Sequence, residues 1–189
     1  MTVSETLAAL KTQKGIEPKA DYTGTEDTDD FIFAIQTDSA SQTKESAWIV
    51  CADHVKEHSG ALNATTTDEA FIRTGTVTSK TGTQRTFSIN GNRCVGDAFQ
   101  DFALSHKIKY GTGSDVIVPY IYFSIRTGKG ESGSAALIVT SDVGGAANAS
   151  ATFAMDVKAV GTAVEFDYLK AKPQSNTQSN TDTAKPVKA

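Results

Sequence analysis

The chain has 189 residues, 39% hydrophobic and 21% charged, with a formal net charge of −4. That length suffices for one well-packed domain with flexible ends, and the mild acidity excludes a dedicated DNA- or RNA-gripping domain, which needs clustered Lys and Arg. No apolar run reaches the roughly 18 residues of a membrane-spanning helix, and the opening MTVSETLAALKTQKGIEPKA has no basic start followed by an apolar stretch, so it does not read as a secretory signal.

Residues 1–30 read as an N-terminal arm. Ser4 is the expected N-cap of a short Ala/Leu-rich helix through Lys11 that stops at Gly15, and a polar stretch follows with four acids between Glu26 and Asp30. That acidic run lacks the Gly and terminal Glu of a calcium loop and reads as solvated. Residues 31–169 read as one mainly β domain, with strands at 31–36, 46–53, 70–79, 85–90, 115–127, 134–141, 149–159 and 163–169. In Phe87/Ile89, Phe153/Met155/Val157 and Val164/Phe166/Tyr168 apolar residues recur with a period of two, the mark of strands with one buried and one wet face. Val160-Gly161-Thr162 is expected to be a tight turn joining the last two strands. Residues 54–70 read as a polar loop, long for a strand connection, and loops of that length usually serve a function or are disordered. One α-helix is expected around residues 97–108: Phe99, Phe102, Ala103 and His106 fall at helical spacing, and Asp97 with Gln100 resembles a capping box. The tail, 170–189, is too poor in apolar residues to offset its chain entropy and is expected to be disordered in isolation.

No motif predicts catalysis, a cofactor or a metal. "TGKGESG" (127–133) has the glycines of a phosphate loop, but Lys129 is followed by Gly130 and strands flank it on both sides. Without a helix N-terminus there is no converging set of N–H groups for phosphate, so a turn with positive φ at Gly128 or Gly130 is expected. Cys51, His54 and His58 have a ligand-like spacing but not the four ligands of a closed zinc site; a buried strand cysteine beside loop histidines is the simpler reading. Cys51 and Cys94 are expected to be reduced thiols. Trp48 and the Tyr120/Tyr122/Phe123 cluster are open to two readings, a ligand groove or packing.

The order of features resembles the major tail, or tail tube, proteins of long-tailed (siphovirus-type) bacteriophages, especially those of Gram-positive hosts. The stretches that carry the resemblance are TGTVTSKTGTQRTFSING (74–91), VGDAFQDF (95–102), VPYIYFSIRTGKGESGSAALIV (118–139) and ATFAMDV with AVEFDY (151–168), within a similarity spanning about 25–169. It implies a β-sandwich with one flanking helix, assembled into hexameric rings that stack into a tube whose strands close a barrel around a lumen. DNA passes through that lumen at ejection without being read, and an acidic wall suits passage, because bound phosphates would stall it. On this reading the chain has no enzymatic activity, is made in the host cytoplasm, resides in the virion tail, and partners itself and the tail terminator, tape measure and distal tail proteins. Ring-to-ring contact is then expected from the 54–70 segment, through His54, Lys56, Glu57, His58, Asn63, Asp68 and Glu69. The alternative is a capsid-decoration or carbohydrate-binding β-sandwich using Trp48 and Tyr120.

Overall fold

The computed structural model describes residues 1–37 and 47–171, so nearly all of the expected tail lies outside the described residues. The chain is mainly β. Seven strands, β1 (Phe31–Gln36), β2 (Trp48–Val50), β3 (Val55–Phe71), β4 (Gly75–Asn92), β5 (Ile117–Ser124), β6 (Lys129–Gly144) and β7 (Thr152–Asp167), form one antiparallel sheet in the order β2-β1-β5-β6-β7-β4-β3.

The sheet curls until its two ends face each other. β4 and β5 are separated by two strands in the hydrogen-bonding order, yet the rings of Phe87 on β4 and Tyr122 on β5 are 4.9 Å apart. Phe87 also meets Phe33 of β1 at 5.0 Å and Tyr120 of β5 at 5.6 Å. Where a sandwich of two sheets was expected, two facing halves of one sheet enclose the core. The alternation of the strands explains which side chains fill it. Phe33 and Ile35, Phe87 and Ile89, Val118 and Tyr120, Leu137, Phe153, Met155 and Val157 all point into this core. The intervening residues of β1 and β5, Ile32, Ala34, Ile121 and Phe123, point the other way into a second core.

Helices close both. α1 (Val3–Lys14) lays Val3 and Leu7 on the second core, with Tyr168 of the short α4 (Tyr168–Ala171). Its N-cap is Thr2, in a full capping box with Glu5, rather than Ser4. It runs to Lys14, and Gly15 ends it in the left-handed conformation at φ 66°. Over the main core the single helix expected at 97–108 is two: α2 (Ala98–Ala103) and α3 (His106–Tyr110), broken at Leu104. Ser105 supplies a fresh N-cap there, accepting from the Ile108 N–H, which lets Phe99, Ala103, Leu104 and Ile108 all reach the core. Asp97 caps α2, its carboxylate accepting from the Gln100 N–H at 2.8 Å. The Gln100 side chain does not return to Asp97. Fully buried, it accepts from the Cys94 N–H at 2.7 Å and donates to the carbonyls of Asp53 and Asn92.

Of the boundaries that differ from the sequence reading, three shape the β3–β4 hairpin and β7. The run at 70–79 is not one strand; it contains a hairpin turn whose first returning residue is Gly75 at φ 76°. The long polar loop expected at 54–70 is strand β3, paired with β4 from Val55 to Phe71. The turn expected at Val160-Gly161-Thr162 is a bulge in unbroken β7. There Ser132 and Ser134 pair with Val164 and Val160, so that Gly161, Thr162 and Ala163 stand opposite Gly133 alone.

Candidate functional site

The β3–β4 hairpin outgrows the body it belongs to. Among the described residues β4 pairs with β7 only from Thr86 to Asn92, and from Arg85 back to Gly75 its sole partner is β3. Ten ladder positions, from Leu62 opposite Arg85 to Phe71 opposite Gly75, project as a two-stranded arm about 30 Å long at the usual rise per residue. Every residue from Ser59 to Thr81 is exposed. Thr65, Thr66, Thr67, Thr76, Thr78, Thr81 and Thr83 supply β-branched side chains that favour extended backbone. Apolar side chains gather at the tip: Ile72 is entirely exposed, with Phe71 and Val77 about half so. Among the described residues β3 has no partner on its other side, and neither does the arm portion of β4, so within them both flanks present unpaired N–H and C=O groups.

The root of the arm is built differently. On its inward face the Arg85 Nε donates to Glu131 Oε1 of β6 at 2.7 Å, and the guanidinium lies over the rings of Phe87 (4.4 Å) and Tyr122 (5.4 Å). The Tyr120 hydroxyl approaches the same carboxylate at 3.4 Å. Burial first, then the Glu131 charge, pushes the Tyr120 hydroxyl up to about 12. Gly60 lies directly beneath the guanidinium; a Cβ there would stand 3.0 Å from Arg85 Nη1. On the outward face the Asn63 amide donates to Thr86 Oγ1 at 3.0 Å.

A second surface is the outward face of β6, β7, β4 and the base of β3. Helices cover the equivalent face of β1 and β5, but none covers these strands among the described residues. It carries Ser134 and Ala136 of β6, Ala154, Asp156 and Lys158 of β7, Thr86, Ser88 and Asn90 of β4, and Glu57 of β3. Ser88 donates to Asp156 and Asn90 to Glu57, each at 2.9 Å. The face is mostly polar and small, with carboxylates at Glu57 and Asp156 and the ammonium of Lys158, but it also carries the exposed apolar side chains of Ile138 on β6 and Val160 on β7.

The expected contact residues do not act as one group. Asn63, Asp68 and Glu69 lie on the arm, exposed. Lys56 and Glu57 lie at its base, and His54 sits before it in a turn at φ 58°. His58 points inward, edge-on to Tyr122 at 6.1 Å, and burial holds its imidazole below the usual range. The acidic run is only partly solvated. Asp30 is buried against the Arg126 Nε at 2.9 Å, and Glu26 accepts from the Ser124 hydroxyl, which fastens this segment to the end of β5.

Gly128 takes the turn expected in TGKGESG, at φ 72°. Gly130 is there for space, since a Cβ would lie 2.0 Å from the Tyr122 carbonyl oxygen. Cys51 is buried, and burial pushes its thiol well up, so it is a poor nucleophile. Among the described residues no three His, Cys, Asp or Glu side chains gather in a metal-binding group. Of the two aromatics that the glycan reading uses, Tyr120 is fully buried and Trp48 is half-buried against the second core.

No protein-family model matches the sequence, and no curated protein matches it. Among solved structures the chain is similar to a protein in the tail of an empty gene transfer agent particle of C6 symmetry, with 17% identity, 74% of this chain and 98% of the other covered, and a TM-score of 0.49. A chain of the native gene transfer agent virion gives 17% identity, coverage of 75% and 98%, and a TM-score of 0.48. A chain of the sheath–tube complex of an extracellular contractile injection system in its extended state gives 10%, coverage of 88% and 99%, and 0.44.

Proposed function

We propose that this chain is a self-assembling tail tube protein, whose copies close into hexameric rings and stack into the conduit through which phage DNA is ejected into the host. The observation that carries this reading is the arm. A two-stranded ribbon is marginal in water on its own, and one with an apolar tip and two unpaired flanks gains its stability when another copy covers it. The order of sequence features that resembles the siphovirus tail tube family supports the same reading.

The two surfaces then take distinct roles. The arm, with Asn63, Asp68 and Glu69 on it, reaches a copy in the next ring, and Lys56, Glu57 and His54 lie where it leaves the body. The uncovered, mostly polar face of β6, β7, β4 and β3 lines the lumen, with Ile138 and Val160 as its exposed apolar residues. It offers DNA carboxylates at Glu57 and Asp156 rather than clustered Lys and Arg, so phosphates slide past instead of binding. Edge strands of neighbouring subunits pair around the ring, which removes the open edge that β3 presents in the single chain. The chain acts without catalysis or a cofactor and belongs to the virion tail, with tail terminator, tape measure and distal tail proteins meeting the ends of the tube.

Replacing Ala64–Thr83 by an Asn-Gly turn joins Asn63 to Gln84 across an existing ladder pair. The expected product is a folded chain that forms no tubes in electron micrographs. Tubes of ordinary length from this variant contradict the proposal.

A further inference from the structure

We propose that Arg85 is a positioning residue that fixes the direction in which the arm leaves the body. The proposal rests on the arm being the assembly element. The argument starts from connectivity. At Thr86 β4 parts from β7, and from that point outward the hydrogen bonds and ion pairs of the described arm residues are internal to the hairpin, apart from that of Arg85. A two-stranded ribbon joined to a sheet by its backbone alone bends and twists freely about the junction. One side chain at the junction resists this. Arg85 crosses the mouth of the curled sheet to Glu131 on β6, with its flat guanidinium held between Gly60 below and the Phe87 and Tyr122 rings above.

Each part of this clamp is chosen for geometry. The pair is mostly shielded, with the Arg85 side chain 16% and the Glu131 side chain 24% exposed, so it is less screened than a surface ion pair. A planar, stacked guanidinium constrains direction as well as distance, which an ammonium does not. Gly60 contributes by having no side chain, because a Cβ there would stand 3.0 Å from Arg85 Nη1 and the guanidinium would have to shift by a few tenths of an ångström. The Asn63–Thr86 bond braces the opposite face of the same two strands. Beside the junction, Gly161, Thr162 and Ala163 of the β7 bulge and Lys80 to Thr83 of β4 border an open cleft, so among the described residues nothing else fills the space into which an unclamped arm would swing.

The test measures arm direction separately from assembly. In the full-length chain with Cys94→Ser, spin labels at Ile72→Cys and Ser88→Cys report the distance from tip to body by pulsed dipolar spectroscopy at a dilution where the chain is monomeric. The expected result is a narrow distribution with Arg85 intact, broadened at least about twofold by Glu131→Gln or by Gly60→Ala, with tube formation slowed by at least about fivefold. Gly60→Ala leaves both charges in place, so agreement between the two variants separates clamping from a general loss of stability. An unchanged distribution in both variants overturns the proposal, even if removal of the arm abolishes tubes. If the arm-less chain forms normal tubes but the distributions broaden, the clamp stands and the assembly role of the arm falls.

Discussion

Phe87→Ala probes the curl of the sheet. Phe87 is 1% exposed and is the ring through which the β4 half meets the β1/β5 half, touching Phe33, Tyr120 and Tyr122. Truncating a buried Phe to Ala typically costs about 3–5 kcal/mol through lost transfer free energy and the cavity left behind, and three lost aromatic contacts place this site near the upper end. The neighbouring Ser88 points to the other face, where it is exposed and donates to Asp156. Ser88→Ala should therefore cost no more than about 1 kcal/mol. Urea unfolding of the two variants at equal, dilute concentration, followed by Trp48 fluorescence, gives both values from the shift in midpoint. A cost below about 1.5 kcal/mol for Phe87→Ala, or near-equal costs for the two residues, refutes the facing-halves arrangement.

Removing the α2 cap with Asp97→Ala should cost about 1 kcal/mol, measured by thermal melting. Gln100→Leu keeps the volume but strips hydrogen bonds from the Cys94 N–H and from the Asp53 and Asn92 carbonyls, so it should cost about 2–3 kcal/mol in the same assay. For Asp30 burial pushes the carboxyl up, but the hydrogen bond from Arg126 and the Asp27 N–H outweigh it and hold the folded value below the ordinary one. A depressed folded value stabilises the chain above the unfolded pKa near 4 and loses that stabilisation as pH falls through the folded value. Asp30→Asn should flatten the fall in stability below about pH 4, and an unchanged acid limb would argue against the Arg126 pairing. A thiol reagent at pH 8 should modify Cys94 well before buried Cys51; equal rates by mass spectrometry would contradict the burial.

What the sequence disclosed followed from where its chemistry was one-sided. Phe87/Ile89 and Phe153/Met155/Val157 alternate because one face is in the core, so these strands were legible. β3 was not, because from Ser59 onward both of its faces are wet in the single chain and no alternation exists to be read; only the Thr65–Thr67 run hinted at extended backbone. The turn after Phe71 was hidden for the same reason, whereas Gly161 misled because a bulge and a turn both draw a positive-φ glycine. In the α2–α3 region the helical spacing was real, but the break came from Ser105, which can cap a new helix as readily as it can continue an old one. Arg85 and Glu131 were invisible as a pair, since 46 residues separate them and only the curl brings them together.

The central claim is that the arm exists to be covered by another copy. Electron microscopy of the purified full-length chain across rising concentration, beside the variant in which an Asn-Gly turn replaces Ala64–Thr83, tests it most directly. Six-fold rings and tubes from the intact chain, with no tubes from the shortened one, are the predicted result. A chain that stays monomeric at every concentration, or tubes that form equally well without the arm, would contradict it.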